Sequence, residues 1–381
     1  MKPIPYAKQY IDEDDIKAVV DVLRSDWITQ GPRIKDFEDT LCAYTGAKYA
    51  VAVSNGTAAL HIACLAADIK EGDEVITSPM TFAASANCVL YCGGKPVFAD
   101  IDRDTANINT AEIRTKITDR VKALIPVHFA GHSCDMKAIK DIADEYGLTV
   151  IEDAAHALGA EYKGKKIGSC EYSDMTIFSF HPVKSITTGE GGAILTNRKD
   201  LYEKLMSLRT HGITKDEKIM SRNDGSWYYE QRYLGVNYRI TDFQCVLGLS
   251  QMKKLDGFVK RRKEIAEMYR KGLSEEAGIT LPVERGDVRS AWHIYCIRVK
   301  DSQTRKRVFD SLRDSGIFPQ VHYLPVYMHP YYEQLGYGKG LCPEAEDFYQ
   351  REISIPLYPS MTDEEVSYVI DKVSEHVRGE G

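Results

Sequence analysis

A lysine, an acid and a glycine turn stand out in this chain because each lies where a run of apolar residues stops. Lys184 sits in SFHPVKSITTGEGG (179–192), a stretch of hydroxyls, glycines and one histidine with little to offer a core. Asp153 ends LTVIED (148–153), and Gly56 follows YAVAV (49–53) in SNGTAAL (54–60). Each has an ordinary reading: a surface lysine, a helix cap, a plain strand-to-helix turn. Together they read differently. In open α/β sheets, ligand sites form outside the carboxyl ends of the strands. A glycine turn that opens a helix offers free N–H groups to a phosphate. A carboxylate can keep a pyridine nitrogen protonated, and an amine can bond to an aldehyde. Pyridoxal phosphate needs that set. The amine must also lose its proton near neutral pH, which burial or nearby cations can bring about.

The elements that must position these groups follow from the hydrophobic pattern. Strands are expected at YAVAV, EVITSP (74–79), KPVFADI (95–101), KALIPV (122–127), LTVIED, MTIFSF (175–180) and GGAILTN (191–197). Helical patterns at 57–67, 82–92 and 136–146 lie between them. Apolar runs bounded by Gly, Pro and Asp, alternating with helices, predict a mostly parallel sheet covered on both faces. From Thr241 to Leu273 the period is helical, with Thr241 or Asp242 as N-cap. AWHIYCIRV (291–299), a helix near 302–315, IFPQVHY (317–323) and a helix from Thr362 with a capping box to Glu365 complete a smaller α+β part. The expected division is a large cofactor-binding domain over residues 1–250, N-terminal segment included, and a small C-terminal domain over 251–381. Residues 212–235 are polar, aromatic and irregular, as a functional or mobile loop would be.

The bulk properties exclude several classes. The chain has 381 residues, 43% of them hydrophobic, and a net charge of −7. No basic stripe suggests a nucleic-acid partner, and no run of about 18 apolar residues suggests a membrane span. The N-terminus lacks the apolar core of a signal peptide, so a cytoplasmic protein is expected. Nine scattered cysteines read as buried thiols in a reducing compartment. His128 and His132 are four apart but interrupted by Gly131, so no metal site is expected.

SNGTAAL, EDAAHALGA (152–160), FSFHPVKSITTGEGGA (178–193) and NYRITDFQCVLGLSQM (237–252) resemble, in order, the motifs of the DegT/DnrJ/EryC/StrS nucleotide-sugar aminotransferases. The resemblance runs from PYAKQYID to YPSMTDEE. It implies the fold-type I aminotransferase architecture, a seven-stranded mostly parallel sheet plus a smaller C-terminal α+β domain, and a homodimer with shared sites. It makes Lys184 the Schiff-base lysine and Asp153 the partner of the pyridine nitrogen. It puts His156 near the ring oxygen and Phe82 against the ring. Gly56, Thr57, Ala58 and Ser179 hold the phosphate, and Asn237 reaches it from the other subunit. Thr187 and Thr188 are placed to order the lysine loop. Family members that act as dehydratases replace the lysine with histidine, and this chain keeps lysine.

Within the family, the resemblance is strongest to enzymes that use L-glutamate to aminate C4 of a UDP-4-keto-6-deoxy-N-acetyl-L-hexosamine for pseudaminic acid. It implies that Tyr6, Trp27, Ile28, Thr29, His181, His322 and Tyr323 line the nucleotide-sugar groove. Arg239 is a candidate for anions of either substrate, with an ion pair to Asp242 as its structural alternative. Other 4-aminotransferases, of the 4-amino-arabinose, perosamine or bacillosamine type, stay open. A sugar dehydratase or a silent cofactor-binding regulator is the reading from another class.

Overall fold

The continuous apolar strands are buried on both faces of one central sheet. The computed structural model describes residues 3–379. Across the sheet the order is Tyr49–Val53, Gly192–Thr196, Met175–Ser179, Thr149–Asp153, Val121–Ile125, Glu74–Thr77 and Lys95–Phe98. Gly192–Thr196 is antiparallel to both neighbours; every other pairing is parallel. Alternate residues feed two cores. Ala50, Ala52, Phe178, Ala193 and Leu195 face Phe37, Leu41, Ile139 and Ile142. Val51, Val53, Ile177 and Ile194 face the helix Gly56–Ala66, with Val89, Leu201 and Leu205. Period-2 alternation with both faces apolar is what a strand covered by helices requires.

Each of the seven strands expected in the sheet appears; Tyr49–Val53 has the expected bounds, and the others differ by up to three residues at an end. The helix at 136–146 has the expected bounds, Met136–Tyr146. The stretch from Thr241 to Leu273 is two helices, Asp242–Met252 and Leu255–Leu273. Thr241 is the N-cap of the first, in a capping box with Gln244. Thr362 and Glu365 form the expected box at the start of Asp363–Arg378.

The C-terminal part builds its own core. Strands Tyr295–Arg298 and Glu352–Ile355 pair antiparallel, and Ile265, Tyr269, Val308, Leu312, Val366 and Val369 pack with them. Ile4 and Pro5 were expected with the large domain. They instead pair with Ile317 and Phe318, and Ile4 is buried in this C-terminal core. The rest of the N-terminal segment leads to the helix Glu13–Leu23, which packs against Asp242–Met252. Within IFPQVHY only Ile317–Phe318 is regular. Pro319 follows at once, and it has no N–H to give a ladder.

Residues 212–235 form a projecting loop pinned by the short pair Ile213–Thr214 and Glu230–Gln231, with Trp227 and Leu234 largely exposed. Among the described residues, no helix is long and apolar enough to cross a membrane.

Candidate active site

The carboxyl ends of Tyr49–Val53, Thr149–Asp153 and Met175–Ser179 lie on one edge of the sheet, because these strands point the same way. Beyond Val53, Asn55 caps the next helix by accepting the Ala58 N–H at 2.8 Å. The N–H groups of Gly56 and Thr57 donate to no described protein atom. They are the orphan donors of a helix start, suited to an anion. A Cβ on Gly56 would stand 2.9 Å from Ser179 Cβ, and one on Gly192 would stand 2.5 Å from the Asn55 carbonyl oxygen. Both glycines let neighbouring strand ends close around the turn.

Asp153 is 5% exposed. Its Oδ2 accepts the Ser85 hydroxyl at 2.5 Å, and its Oδ1 accepts the Ala155 N–H at 3.1 Å. Thr81 Oγ1 lies 2.6 Å from Ser85 Oγ. An ionised carboxylate only accepts, so the order of donation is Thr81 to Ser85 to Asp153. The backbone fixes Asp153 as well: its N–H donates to the Pro126 carbonyl, and its own carbonyl accepts the His128 N–H. On the opposite face of the strand, Glu152 takes hydrogen bonds from Ser173 and Thr176 and lies 2.7 Å from His128 Nε2. Cys134 N–H donates to His128 Nδ1, so that ring gives Nε2–H to Glu152. His132 faces the Arg285 N–H instead, so the two histidines do not converge. Among the described residues, no group of three His, Cys, Asp or Glu side chains is arranged to hold a metal ion.

The loop after Ser179 is closed by its own hydroxyls. Thr187 Oγ1 donates to the Phe180 carbonyl and accepts the Gly189 N–H; Thr188 Oγ1 donates to the Glu190 carbonyl. Lys184 is half-buried at the turn, its N–H donating to the His181 carbonyl. Burial pushes its amine down to about 8, with the Asp153 charge pulling the other way. Three histidines surround it electrostatically. His156 is driven well below the ordinary imidazole range by burial first, then by the charges of Lys184 and His322. His322 falls to about 3 for the same first reason, then Lys184. His293 lies 4.3 Å from His156, ring centre to ring centre, and is lowered too, chiefly by burial. The Nδ1 atoms of His156 and His293 are buried and have no hydrogen-bond partner among the described residues. Tyr323 Oη lies 3.3 Å from His156 Nε2. Next to it, the Tyr6 ring is 5.4 Å from that of His322.

The remaining expected site residues are more open. Phe82 is 65% exposed, three residues before Ser85. Trp27, Ile28 and Thr29 are exposed; the Ile28 carbonyl accepts the Asp242 N–H, and Thr29 bridges Thr241. His181 is exposed, with Nδ1 accepting the Val183 N–H at 3.5 Å. Asn237 is exposed, and its backbone bridges Thr210. Arg239 bridges Val53, which puts it at the strand end before the Gly56 turn. The alternative ion pair with Asp242 does not form. Asp242 accepts the N–H groups of Gly31 and Arg33, at 2.7 and 2.9 Å.

Sequence reasoning did not find Thr81, Ser85 or His293. Ser85 was within reach, since it lies three residues beyond Phe82 in MTFAAS. These residues fit pyridoxal phosphate. There are free N–H donors for a phosphate, a fixed carboxylate for a ring nitrogen, an amine close to neutrality, and buried imidazole nitrogens with nothing yet to bond.

The profile of the DegT/DnrJ/EryC1/StrS aminotransferase family matches residues 9–374. A spore coat polysaccharide biosynthesis protein of Bacillus subtilis, SpsC, is 43% identical over 99% of this chain and 97% of its own. A UDP-4-amino-4,6-dideoxy-N-acetyl-beta-L-altrosamine transaminase of Campylobacter jejuni is 39% identical, covering 97% of this chain and 96% of its own. Among solved structures, the Helicobacter pylori aminotransferase PseC, involved in pseudaminic acid biosynthesis, superposes with a TM-score of 0.92 at 34% identity. It covers 99% of this chain and 100% of that one.

Proposed function

This chain belongs to the DegT/DnrJ/EryC1/StrS aminotransferase family and is a pyridoxal-phosphate-dependent sugar aminotransferase, and from that premise we propose its substrates and residue roles. The amino donor is L-glutamate. The acceptor is a UDP-4-keto-6-deoxy-N-acetyl-L-hexosamine, aminated at C4 for pseudaminic acid. The likeness to the altrosamine transaminase and to PseC supports this sugar. The second reading, another nucleotide-sugar 4-aminotransferase, stands beside it, because SpsC, a spore coat polysaccharide biosynthesis protein, is at least as similar to this chain.

When bound, the cofactor supplies an electron sink and the carbon that carries the amino group between substrates. The chain supplies the rest. Lys184 holds the cofactor and carries the proton between the reacting carbons; its place at the loop turn beyond the strand Met175–Ser179, with burial lowering its amine and Asp153 within electrostatic reach, supports this assignment. Asp153, fixed by Ser85, pairs with the ring nitrogen. Gly56, Thr57, Ala58 and Ser179 hold the phosphate, His156 faces the ring oxygen, and Phe82 covers the ring. Tyr6, Trp27, Ile28, Thr29, His181, His322 and Tyr323 line the groove for the nucleotide sugar. Asn237 completes the phosphate site of a partner subunit in a homodimer, and the exposed loop 212–235 supports that placement.

The test is a panel of UDP- and dTDP-4-ketosugars offered with glutamate, with amino products read by mass. The UDP-L-hexosamine should give the highest kcat/KM. A larger value for any other ketosugar overturns the sugar assignment and leaves the aminotransferase class standing.

A further inference from the structure

The reaction described above leaves the buried carboxyl of Glu352 unused. Glu352 is 0% exposed and, among the described residues, has no ion-pair partner. Its Oε2 accepts the backbone N–H of His322 at 2.8 Å. Its Oε1 accepts the Ser354 hydroxyl, and Ser354 Oγ lies 2.8 Å from His322 Nδ1. Glu352 and Ser354 are two apart on one strand and so share a face. The chain of contacts runs from carboxyl to hydroxyl to imidazole, and His322 Nε2 at its far end has no hydrogen-bond partner among the described residues.

Counting hydrogens allows two states. With the carboxyl ionised, Ser354 donates to Oε1. The Ser354 oxygen then accepts from Nδ1–H, and Nε2 keeps a bare lone pair. With the carboxyl protonated at Oε1, that proton points at Ser354 Oγ. Ser354 then donates to Nδ1, and the ring proton sits on Nε2. We propose that Glu352, Ser354 and His322 form a proton relay that turns His322 Nε2 from acceptor to donor by storing one proton on Glu352. The step is balanced. Nε2 gains a proton, Nδ1 gives its own to Ser354, and Ser354 gives its own to Glu352. One proton is taken up, and no imidazolium forms inside the protein.

The electrostatics agree with the geometry. Burial raises the Glu352 carboxyl to about 7, against the hydrogen bonds from Ser354, His322 and Cys296 and the more distant charge of Arg305. Tyr323 and the Cys296 thiol also face it. His322 meets Lys184, His156 and His293 from the cofactor side and the Tyr6 ring from the N-terminal segment. Its ring is held down to about 3. Near neutral pH the extra proton therefore rests on the carboxyl. Glu352 acts through His322 and is a positioning residue. On the groove reading above, on which this consequence rests, the relay decides whether a phosphate or carbonyl oxygen of the sugar nucleotide meets an N–H or a lone pair.

Nitrogen-15 spectra of the histidine rings report the tautomer directly, in the cofactor-loaded enzyme without substrate. From about pH 8.5 to about pH 5.5, Nε2 of His322 should change from bare to protonated while Nδ1 does the reverse, with a midpoint near 7. Glu352→Gln should keep its amide oxygen on the His322 N–H and turn its NH2 to Ser354, fixing the Nε2–H form at every pH. Ser354→Ala should abolish the switch and spares the carboxyl, so the relay stays testable if Glu352→Gln folds poorly. One unchanging tautomer in the wild type, imidazolium forming in that range, or the same switch in either variant overturns the relay. None of these outcomes bears on which sugar is aminated.

Discussion

Two buried carboxyls near the candidate site, Asp153 and Glu352, differ in what closes them in. Asp153 ends a strand of the central sheet, where the chain turns away and leaves room for a ligand. Its donors are a hydroxyl from the start of the helix Ala84–Tyr91 and one N–H of its own loop. Glu352 begins a strand of the C-terminal pair, and its donors are the groups of a closed network. A carboxylate at a strand end is free to meet a cofactor. One inside a strand pair can act only by passing a proton along its own partners. If this contrast holds, losses on the Asp153 side should be large and should appear with any substrate, while losses on the Glu352 side should appear as changes with pH.

The largest effect expected is at Lys184. Lys184→Ala should lower glutamate-dependent amino-product formation by at least about a thousandfold, since on the proposed reading the group that moves the proton is gone. Borohydride treatment of the loaded wild type, followed by peptide mapping, should fix the cofactor to this residue. A label on another lysine would remove Lys184 from the centre of the comparison.

Next come Asp153 and its donor. Asp153→Asn should cost on the order of a hundredfold in kcat while the fold persists, because on the proposed reading the ring nitrogen loses its anion. Ser85→Ala removes one hydrogen bond to a charged group, roughly 1.5–3 kcal/mol, and should cost about tenfold in kcat with weaker cofactor binding. Ser85→Thr should restore both. Fluorescence titration of the apoprotein with cofactor reads the binding term apart from activity. Equal kcat for Ser85→Ala and wild type would mean that the hydroxyl only fills space.

A smaller effect follows from acidity. The Lys184 amine is lowered to about 8 in the protein. Below that value it carries a proton and cannot attack an aldehyde. Cofactor recombination with apoprotein should therefore speed up as pH rises through about 8 and level off above it. The Asp153 charge favours the protonated amine, so in Asp153→Asn the same curve should move to lower pH. Stopped-flow absorbance checks both. A curve unmoved by the substitution would show that the two groups do not sense one another.

The same contrast explains what the sequence made legible. The seven strands were readable because each is a continuous apolar run, and Lys184, Asp153 and Gly56 were readable because each breaks such a run at its end. Ser85 and Glu352 carry no such mark. They gain meaning from partners 68 and 30 residues away in the chain, and spacing says nothing of contacts that only folding creates. His293 is likewise set by its neighbour His156 across the fold. The stretch 317–323 is regular only at Ile317–Phe318, since Pro319 follows, and His322 and Tyr323 lie in its irregular part.

Arg239 offers the finest test, because its expected alternative is absent. Asp242 is committed to the N–H groups of Gly31 and Arg33, and the half-buried Arg239 guanidinium has no side-chain partner among the described residues. Its backbone bridges Val53, just before the Gly56 turn. A guanidinium there can grip a carboxylate or a phosphate with two parallel N–H groups, whereas a lysine offers only a point charge. Glutamate and a nucleotide sugar must use the site in turn, so one fork could serve both anions. Initial rates against both substrates should then give parallel lines. Arg239→Lys should raise KM for one or both substrates by roughly tenfold, as for one lost charged hydrogen bond. The value of kcat, the melting temperature and cofactor content should change little. A fall in kcat at constant KM would move Arg239 to the chemical step on the Asp153 side. Unchanged kinetics would leave it a strand-end residue with no part in either half of the comparison.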